Sequence, residues 1–150
     1  MKNLVTTILA ILSIPSLLMA QESVASPLES ALKQYVTIQT ALASDTLKGV
    51  PEAAEALATV AKSHAGMLPA TLAAQAEAVG KATDLKAARA AFKPLSATII
   101  TAAAAKEKTG RYYEAFCPMA GAAWIQGEKT VANPYYGSSM LTCGEIRKEL

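Results

Sequence analysis

From residue 26 to about residue 108, apolar side chains recur three and four positions apart, the spacing that gathers them on one face of an α-helix. The first stretch opens with Ser26-Pro27-Leu28-Glu29, a capping-box pattern with proline in the first helical turn. Its apolar stripe consists of Leu28, Leu32, Tyr35, Ile38 and Leu42. The pattern predicts an amphipathic helix between this cap and Ser44.

A second helix is predicted over the next stripe, which consists of Leu47, Val50, Ala54, Leu57, Ala61 and His64. Gly66 and Pro69 are expected to end it, because glycine favours a helix terminus and proline lacks the N–H group needed to continue one. A third helix is predicted for residues 72–81.

The fourth predicted helix begins at a cap formed by Thr83 or Asp84 and continues to about Lys108. Pro94 lies within it and is expected to kink the helix or to divide it in two. Four amphipathic helices joined by short loops predict an all-α fold, with an antiparallel bundle over residues 27–108.

The pattern changes after Gly110, where the helical spacing disappears. Six of the eight aromatic residues lie between Tyr112 and Tyr136, and both cysteines and four of the eight glycines also follow Gly110. We expect residues 111–150 to form an irregular cap, rich in aromatic residues and glycine, that packs against the bundle. Irregular segments on rigid scaffolds often carry function, so this cap is the expected place for a functional site.

The first 20 residues have the layout of a secretory signal peptide. Basic Lys2 is followed by an apolar run from Leu4 to Leu18, and Ala20 provides a small residue before Gln21. The run is short for a membrane span, although a retained anchor is the alternative. The mature protein is therefore expected to be one domain, residues 21–150, that is periplasmic or secreted and not inserted in a membrane after signal removal.

The charge of the mature chain argues against nucleic acid as a partner. Of the 14 basic residues, Lys2 belongs to the signal peptide, which leaves 13 against 12 acidic residues. Nucleic acids and anionic membranes select proteins with a basic patch, and no run of Lys and Arg interleaved with aromatic residues occurs in this sequence.

Four sulfur-bearing residues in the cap are candidate ligands for a soft metal ion. Pro118 favours an extended conformation at Cys117, which would direct Cys117 and Met119 to one side of the chain. Met140 and Cys143 are three positions apart, so they share one face of a helical turn. If the chain folds back at Asn133-Pro134 and Gly137, the four sulfur atoms can converge. Thiolate and thioether donors select Cu(I) or Ag(I) over harder ions.

A disulfide between Cys117 and Cys143 is the competing interpretation, since two cysteines in an exported domain usually form one. Closing this loop of roughly 27 residues would stabilise the fold by about 3–4 kcal/mol. Met119 and Met140 are alternatively core residues. His64 is a further candidate ligand, although its place on an apolar stripe equally suits a structural histidine.

The aromatic residues of the cap also allow two interpretations. Trp124, Tyr135 and Tyr136 form the hydrophobic centre of the cap or, alternatively, a contact surface for a protein partner or a bound cation. With one histidine, no paired carboxylates on a shared face and no nucleophile–base motif, the sequence predicts that the protein is not an enzyme.

The tail resembles the C-terminal signature of a bacterial exported family of unknown function. The matching residues are Cys117-Pro118-Met119, Trp124, Asn133-Pro134-Tyr135-Tyr136-Gly137, Met140-Leu141 and Cys143-Gly144, in the pattern CPM…W…NPYxG…ML…CG. Upstream, Arg89, Phe92, Leu95 and Ser96 are similar to an R-x-x-F-x-x-L-S helix of that family. Some members carry a histidine where this chain has Phe116.

The resemblance implies a helical bundle associated with a heavy metal, copper or silver. Such domains also occur attached to periplasmic adaptor (membrane-fusion) proteins of copper and silver efflux pumps, which would make an adaptor a candidate partner. The sequence therefore predicts a periplasmic protein that binds Cu(I) or Ag(I) and sequesters the ion or passes it to an efflux system. The alternative is a disulfide-stapled helical module that binds a protein partner and has no metal role.

Overall fold

The computed structural model describes residues 25–105 and 111–150. The signal peptide predicted for residues 1–20 lies outside these ranges, as does the predicted helix end at Lys108. We call residues 25–105 the helical body and residues 111–150 the tail.

The helical body consists of the four helices that the hydrophobic pattern predicts. They are α1 (Pro27–Ala43), α2 (Val50–Ser63), α3 (Leu72–Gly80) and α4 (Leu85–Ala104). Each helix packs against the next along the chain, and α1 also contacts α4. None of the helices in the described ranges is both long enough and apolar enough to cross a membrane.

The side chains that cap the first turns of α1 and α4 confirm the caps predicted from the sequence. The Ser26 hydroxyl accepts a hydrogen bond of 3.1 Å from the Glu29 N–H group, and the Asp84 carboxylate accepts one of 2.8 Å from the Ala87 N–H group. Each cap satisfies one of the N–H groups that a helix leaves without a partner at its first turn.

Pro94 does not divide α4, which continues unbroken from Leu85 to Ala104. Proline removes one hydrogen bond inside a helix, a cost of about 3 kcal/mol. Leu95, Ser96 and Ile99 on the following turn are wholly buried, so tertiary packing offsets that cost.

The tail contains a sheet, which corrects the prediction of an all-α fold with an irregular cap. Three strands, β1 (Tyr113–Cys117), β2 (Ala122–Gln126) and β3 (Glu145–Glu149), form an antiparallel sheet in the order β2-β1-β3. A short 3₁₀ helix, Gly137–Ser139, lies between β2 and β3. Each strand has only five residues and β3 pairs with a strand about 30 positions away, so local periodicity could not reveal the pairing.

The sheet packs against α1 and α4, so the helical body and the tail share one core. The Tyr35 ring stacks on Phe92 with 5.0 Å between centroids, and Trp124 from β2 is wholly buried in the same cluster. The Tyr35 and Ser96 hydroxyls share a hydrogen bond of 2.6 Å, and the Ile125 N–H group donates to the Tyr35 oxygen at 3.3 Å. This buried polar link fixes β2 to both helices.

Candidate metal site

The tip of the β1–β2 hairpin surrounds the sulfur of Cys117 with backbone N–H groups. Cys117 is the last residue of β1, and a turn closed by a 3.1 Å bond from the Gly121 N–H group to the Pro118 carbonyl follows it. Within this turn the Ala120 N–H group donates to the Cys117 sulfur at 3.4 Å, and the Met119 N–H group also donates to it. Such N–H groups stabilise a negatively charged sulfur.

Two side chains from outside the hairpin hold this tip in place. The Lys93 ammonium of α4 donates to the Ala120 carbonyl at 2.6 Å. The Tyr136 hydroxyl donates to the Met119 carbonyl at 3.0 Å. The peptide between Met119 and Ala120 is therefore bound on both sides, with its carbonyl on the Tyr136 hydroxyl and its N–H group on the Cys117 sulfur.

Cys143 reaches Cys117 through a close backbone approach at Gly144. The φ angle of Gly144 is +139°, and a Cβ atom there would lie 2.9 Å from both the Phe116 carbonyl oxygen and the Trp124 ring. Glycine is therefore required where the chain enters β3. Phe116 of β1 pairs with Glu145 of β3, so the structure brings the two predicted cysteines together. A hydrogen bond between their side chains shifts the pKa of both thiols.

Asn133 joins the two cysteine-bearing segments, a role that the sequence does not indicate beyond predicting a turn. Its side-chain amide donates to the Cys143 carbonyl at 2.8 Å and also to the Cys117 sulfur. Its side-chain oxygen accepts from the Tyr135 N–H group at 2.8 Å, and the residue is wholly buried. Because both the amide and the oxygen of this buried side chain are hydrogen-bonded, another residue could not easily replace it. Its partners lie too far along the chain to be recognised from the sequence.

The two thiols differ in acidity. Burial by itself raises the pKa of Cys117, but the hydrogen bonds from Cys143, from the Ala120 and Met119 N–H groups and from Asn133 outweigh it, and the pKa lies below its ordinary value. The pKa of Cys143 is raised because its proton is held in the hydrogen bond to Cys117, with burial adding to the effect. The pair therefore binds one shared proton more firmly than a second.

Met119 and Met140 lie in the two turns that carry the cysteines. The Met119 side chain is 68% exposed at the hairpin tip, because its residue lies in a turn and not in the extended segment that Pro118 predicted. Met140 is half-buried, and its carbonyl accepts a 3.0 Å hydrogen bond from the Cys143 N–H group, closing the turn before β3.

His64 lies apart from the cysteine pair. It ends α2, and its Nδ1 atom is 3.0 Å from the Val60 carbonyl oxygen. The turn after it, at Met67, borders a cavity together with Tyr112, which immediately precedes β1. Cys117 lies at the other end of that strand, about 16 Å from Tyr112 at the usual rise per residue.

The donors that converge fit a soft ion better than a hard one. The described residues contain no group of three or more His, Cys, Asp or Glu side chains that could hold a metal ion. The candidate donors are thus the two cysteine sulfurs, with the thioethers of the adjoining turns. This set suits Cu(I) or Ag(I), whereas zinc sites use four nitrogen, oxygen or thiolate donors, or three and a water molecule.

The disulfide predicted as the alternative is not formed. Both cysteines are free, Cys117 wholly buried and Cys143 half-buried. The sulfur atoms are linked by a hydrogen bond, so the fold holds them together without a covalent cross-link.

The aromatic residues of the tail serve mainly to build its core. Trp124 is wholly buried, and its ring packs edge-on to Tyr135 with 5.9 Å between centroids. The Tyr135 hydroxyl donates to the Ala123 carbonyl at 2.7 Å. Trp124 therefore has no surface to offer a partner, and Tyr135 and Tyr136 are half-buried with their hydroxyl groups already engaged.

An ion pair on α4 anchors the tail at the far side of the site. The Arg89 guanidinium donates to the Pro134 and Leu42 carbonyls, both at 2.8 Å, and to the Asp45 carboxylate at 2.6 Å. The second oxygen of Asp45 accepts a 2.8 Å hydrogen bond from the Ser138 N–H group. Through these contacts α1, α4 and the tail are joined at one point.

Comparison with known proteins places the helical body in a family. No curated protein and no solved structure matches the chain. Residues 31–110 match a family of proteins of unknown function, DUF3347, and the match spans most of α1 and all of α2, α3 and α4. It stops before the hairpin that carries Cys117. Because the match covers more than half of the 150 residues, the chain belongs to the DUF3347 family of proteins of unknown function.

Proposed function

We propose that this protein is an exported carrier of a soft monovalent ion, Cu(I) or Ag(I). The observation that supports the proposal is the contact between the Cys117 and Cys143 sulfurs, within a ring of hydrogen-bond donors that favours a thiolate. The resemblance of the tail to a family linked to copper and silver efflux supports the same ion class. The expected signal peptide would place the protein where such ions are exported.

The shared proton explains how the site would accept the ion. The pKa of Cys117 is lowered and that of Cys143 is raised, so Cys117 loses its proton first and the proton on Cys143 lies between the two sulfurs. A monovalent ion bound between the sulfurs takes the place of that proton, and the pair then acts as a dithiolate. Uptake therefore releases a proton, and lower pH favours release of the ion.

The ligands are assigned in two ranks. Cys117 and Cys143 are the primary donors. Met119 and Met140 lie in the adjoining turns and are proposed as additional thioether donors, because methionine side chains are flexible enough to turn towards a bound ion. His64 is left out of the ligand set on account of its position at the end of α2.

Substitution of Cys143 by serine provides the main test. The reduced wild-type protein is expected to bind one Cu(I) ion in anaerobic competition with a chromogenic chelator. Cys143→Ser is expected to lower the affinity at least about tenfold, or about 1.4 kcal/mol, because a hydroxyl group is a poor ligand for a soft ion. Equal affinity of the variant and the wild type would contradict the proposal.

The thioether donors can be tested with a matched pair of methionines. Met119 and Met67 are 68% and 66% exposed, but Met67 is in the turn after α2 and borders a cavity with Tyr112, at the opposite end of β1 from Cys117. Met119→Leu is expected to weaken Cu(I) binding, while Met67→Leu leaves it unchanged. If both variants bind like the wild type, the site consists of the two cysteines alone.

An efflux adaptor is the proposed recipient of the ion, on the strength of the tail's resemblance. The alternative function, a disulfide-stapled module that binds a protein partner, has less support because both cysteines are free and Trp124 is wholly buried. Analysis of the mature protein should show cleavage before Gln21 if the export proposal is right.

A further inference from the structure

The two sulfurs of the site are arranged for chemistry with each other as well as with an ion. Cys117 and Cys143 are free and lie side by side where β1 ends and β3 begins, because Phe116 pairs with Glu145. They differ in access to solvent, since Cys117 has no exposed surface and Cys143 is half-buried. A permanent staple would not need hydrogen-bond donors around one sulfur. Those donors stabilise a thiolate on Cys117 and therefore the reduced pair. This interaction is lost when a disulfide joins the two sulfurs, because the sulfur then carries no negative charge.

We propose that Cys117 and Cys143 form a reversible dithiol–disulfide couple that exchanges electrons with small or protein disulfides, and that its oxidation closes the metal site. The first half stands on the sulfur contact alone. The second half rests on the proposed function, because it requires the same two sulfurs to be the ligands.

Cys143 reacts first with an incoming disulfide, because it is partly exposed while Cys117 is buried. An incoming disulfide R–S–S–R can reach only Cys143. As the Cys143 sulfur attacks one sulfur of the oxidant, the S–S bond of the oxidant breaks, and the Cys143 proton goes to the leaving sulfur, which departs as R–SH. The product is a mixed disulfide on Cys143 beside the Cys117 thiol.

The second step completes the couple. The Cys117 sulfur then attacks the Cys143 sulfur of the mixed disulfide. The Cys117–Cys143 bond forms, the bond from Cys143 to the R–S group breaks, and the Cys117 proton goes to that group, which leaves as the second R–SH. In total two protein thiols and R–S–S–R become one protein disulfide and two R–SH, with two electrons transferred to the oxidant.

The hairpin tip explains why this disulfide would be readily reduced. The Ala120 and Met119 N–H groups and the Asn133 amide all favour the thiolate of Cys117. Stabilising the reduced form makes the disulfide a stronger oxidant, in the manner of catalytic and regulatory disulfides rather than structural ones.

Glutathione is a suitable small disulfide with which to test the couple. Reduced, folded protein would be equilibrated without oxygen in mixtures of oxidised and reduced glutathione, quenched in acid, alkylated and weighed intact. We expect a species lighter by two hydrogen atoms that takes up no alkyl label, and its complete return to the dithiol in excess reduced glutathione. Two alkylatable thiols at every glutathione ratio would overturn the couple.

The order of attack is tested with single cysteine variants. Cys117→Ser is expected to accumulate a glutathione adduct on Cys143, and Cys143→Ser to form one on Cys117 at least about tenfold more slowly. Equal rates would overturn the assigned order. If circular dichroism shows that a variant does not fold, rapid quenching of the wild type and peptide mapping of its transient adduct give the same answer.

Closure of the metal site is tested with Ag(I), which does not reduce a disulfide. The oxidised protein is expected to bind Ag(I) at least about tenfold more weakly than the reduced protein, and bound Ag(I) to slow oxidation by glutathione. Equal binding by both forms would overturn the closure. If the reduced protein binds neither Cu(I) nor Ag(I), the proposed function fails, while the mass measurement still decides the couple.

Discussion

Different kinds of contact stabilise the helical body and the tail. The body buries apolar stripes that each belong to one helix, and its core consists largely of leucine, alanine and other small aliphatic residues. Both parts also bury polar side chains, Gln39 and Ser96 in the body and Gln126 and Asn133 in the tail, and in the tail these lie among short strands. The comparison shows that a segment too short to form its own apolar core can be fixed by fully satisfied polar groups.

Gln126 illustrates how the tail is organised. Its side-chain oxygen accepts hydrogen bonds from the Trp124 indole at 2.8 Å and from the Ala132 N–H group at 3.1 Å. Its amide donates to the Glu128 and Thr130 carbonyls at 2.5 and 2.8 Å. One side chain thus shapes the whole loop that leads from β2 towards Asn133.

The largest predicted effect is a difference in stability between the alanine variants of two tail glycines that have almost the same φ angle. Gly137 and Gly121 have φ angles of +56° and +55°. A Cβ atom at Gly137 would overlap the Asp45 carboxylate and the Arg89 guanidinium, whereas at Gly121 it meets nothing within 4 Å. Gly137→Ala is expected to lower the free energy of unfolding by at least about 3 kcal/mol, and Gly121→Ala by about 1–2 kcal/mol from backbone strain alone.

Urea denaturation of both glycine variants measures this difference. Thiol labelling of the folded variants adds a second readout, because displacement of Gly137 from Asp45 should loosen the tail and expose Cys117. Similar stability of the two variants would show that the contact between tail and body at Gly137 is dispensable.

A smaller effect is predicted for the arginine that links the body to the tail. Arg89 is 18% exposed and binds three acceptors, while Arg111 is 71% exposed and pairs only loosely with Glu29 at 3.4 Å. Arg89→Met is expected to cost about 2–3 kcal/mol, because buried acceptors lose a charged donor. Arg111→Met should cost less than about 1 kcal/mol.

Thermal or urea unfolding of the two arginine variants tests this prediction. The Arg89 variant is expected to lose stability mainly in the tail. Cys117 labelling should accelerate in Arg89→Met and stay at the wild-type rate in Arg111→Met. Equal costs would mean that the anchor contributes no more than an ordinary surface charge.

The smallest predicted effect is a pH dependence at the same anchor. Hydrogen bonds from Ser138 and the Arg89 guanidinium lower the pKa of Asp45 from 3.8 to about 2. The stability that this carboxylate contributes is therefore fully present above about pH 4 and is lost as the pH falls through about 2. The stability difference between the wild type and Asp45→Asn should shrink over this interval. A difference that is the same at pH 6 and pH 2 would contradict the assignment.

The helical body could be predicted from the sequence to a greater extent than the tail. The stripes and caps of α1 to α4 are local, so spacing and the residues Ser26 and Asp84 sufficed to predict them. The division of α4 that was one of the two outcomes expected at Pro94 does not occur, because the effect of a proline depends on burial by other elements. In the tail, the cysteines were identified as a pair, but the hairpin that presents Cys117 and the strand that follows Cys143 were not.

The sequence by itself determined the four helices and their caps, because these features depend on residues a few positions apart. It also indicated two cysteines and two methionines near the C-terminus as candidate ligands. Tertiary structure decided that the tail forms a sheet, that Asn133 and the hairpin N–H groups surround Cys117, and that His64 lies elsewhere. Those outcomes depend on partners tens of residues away, such as Arg89 and Pro134, whose meeting is fixed by the packing of the whole core and not by any local pattern.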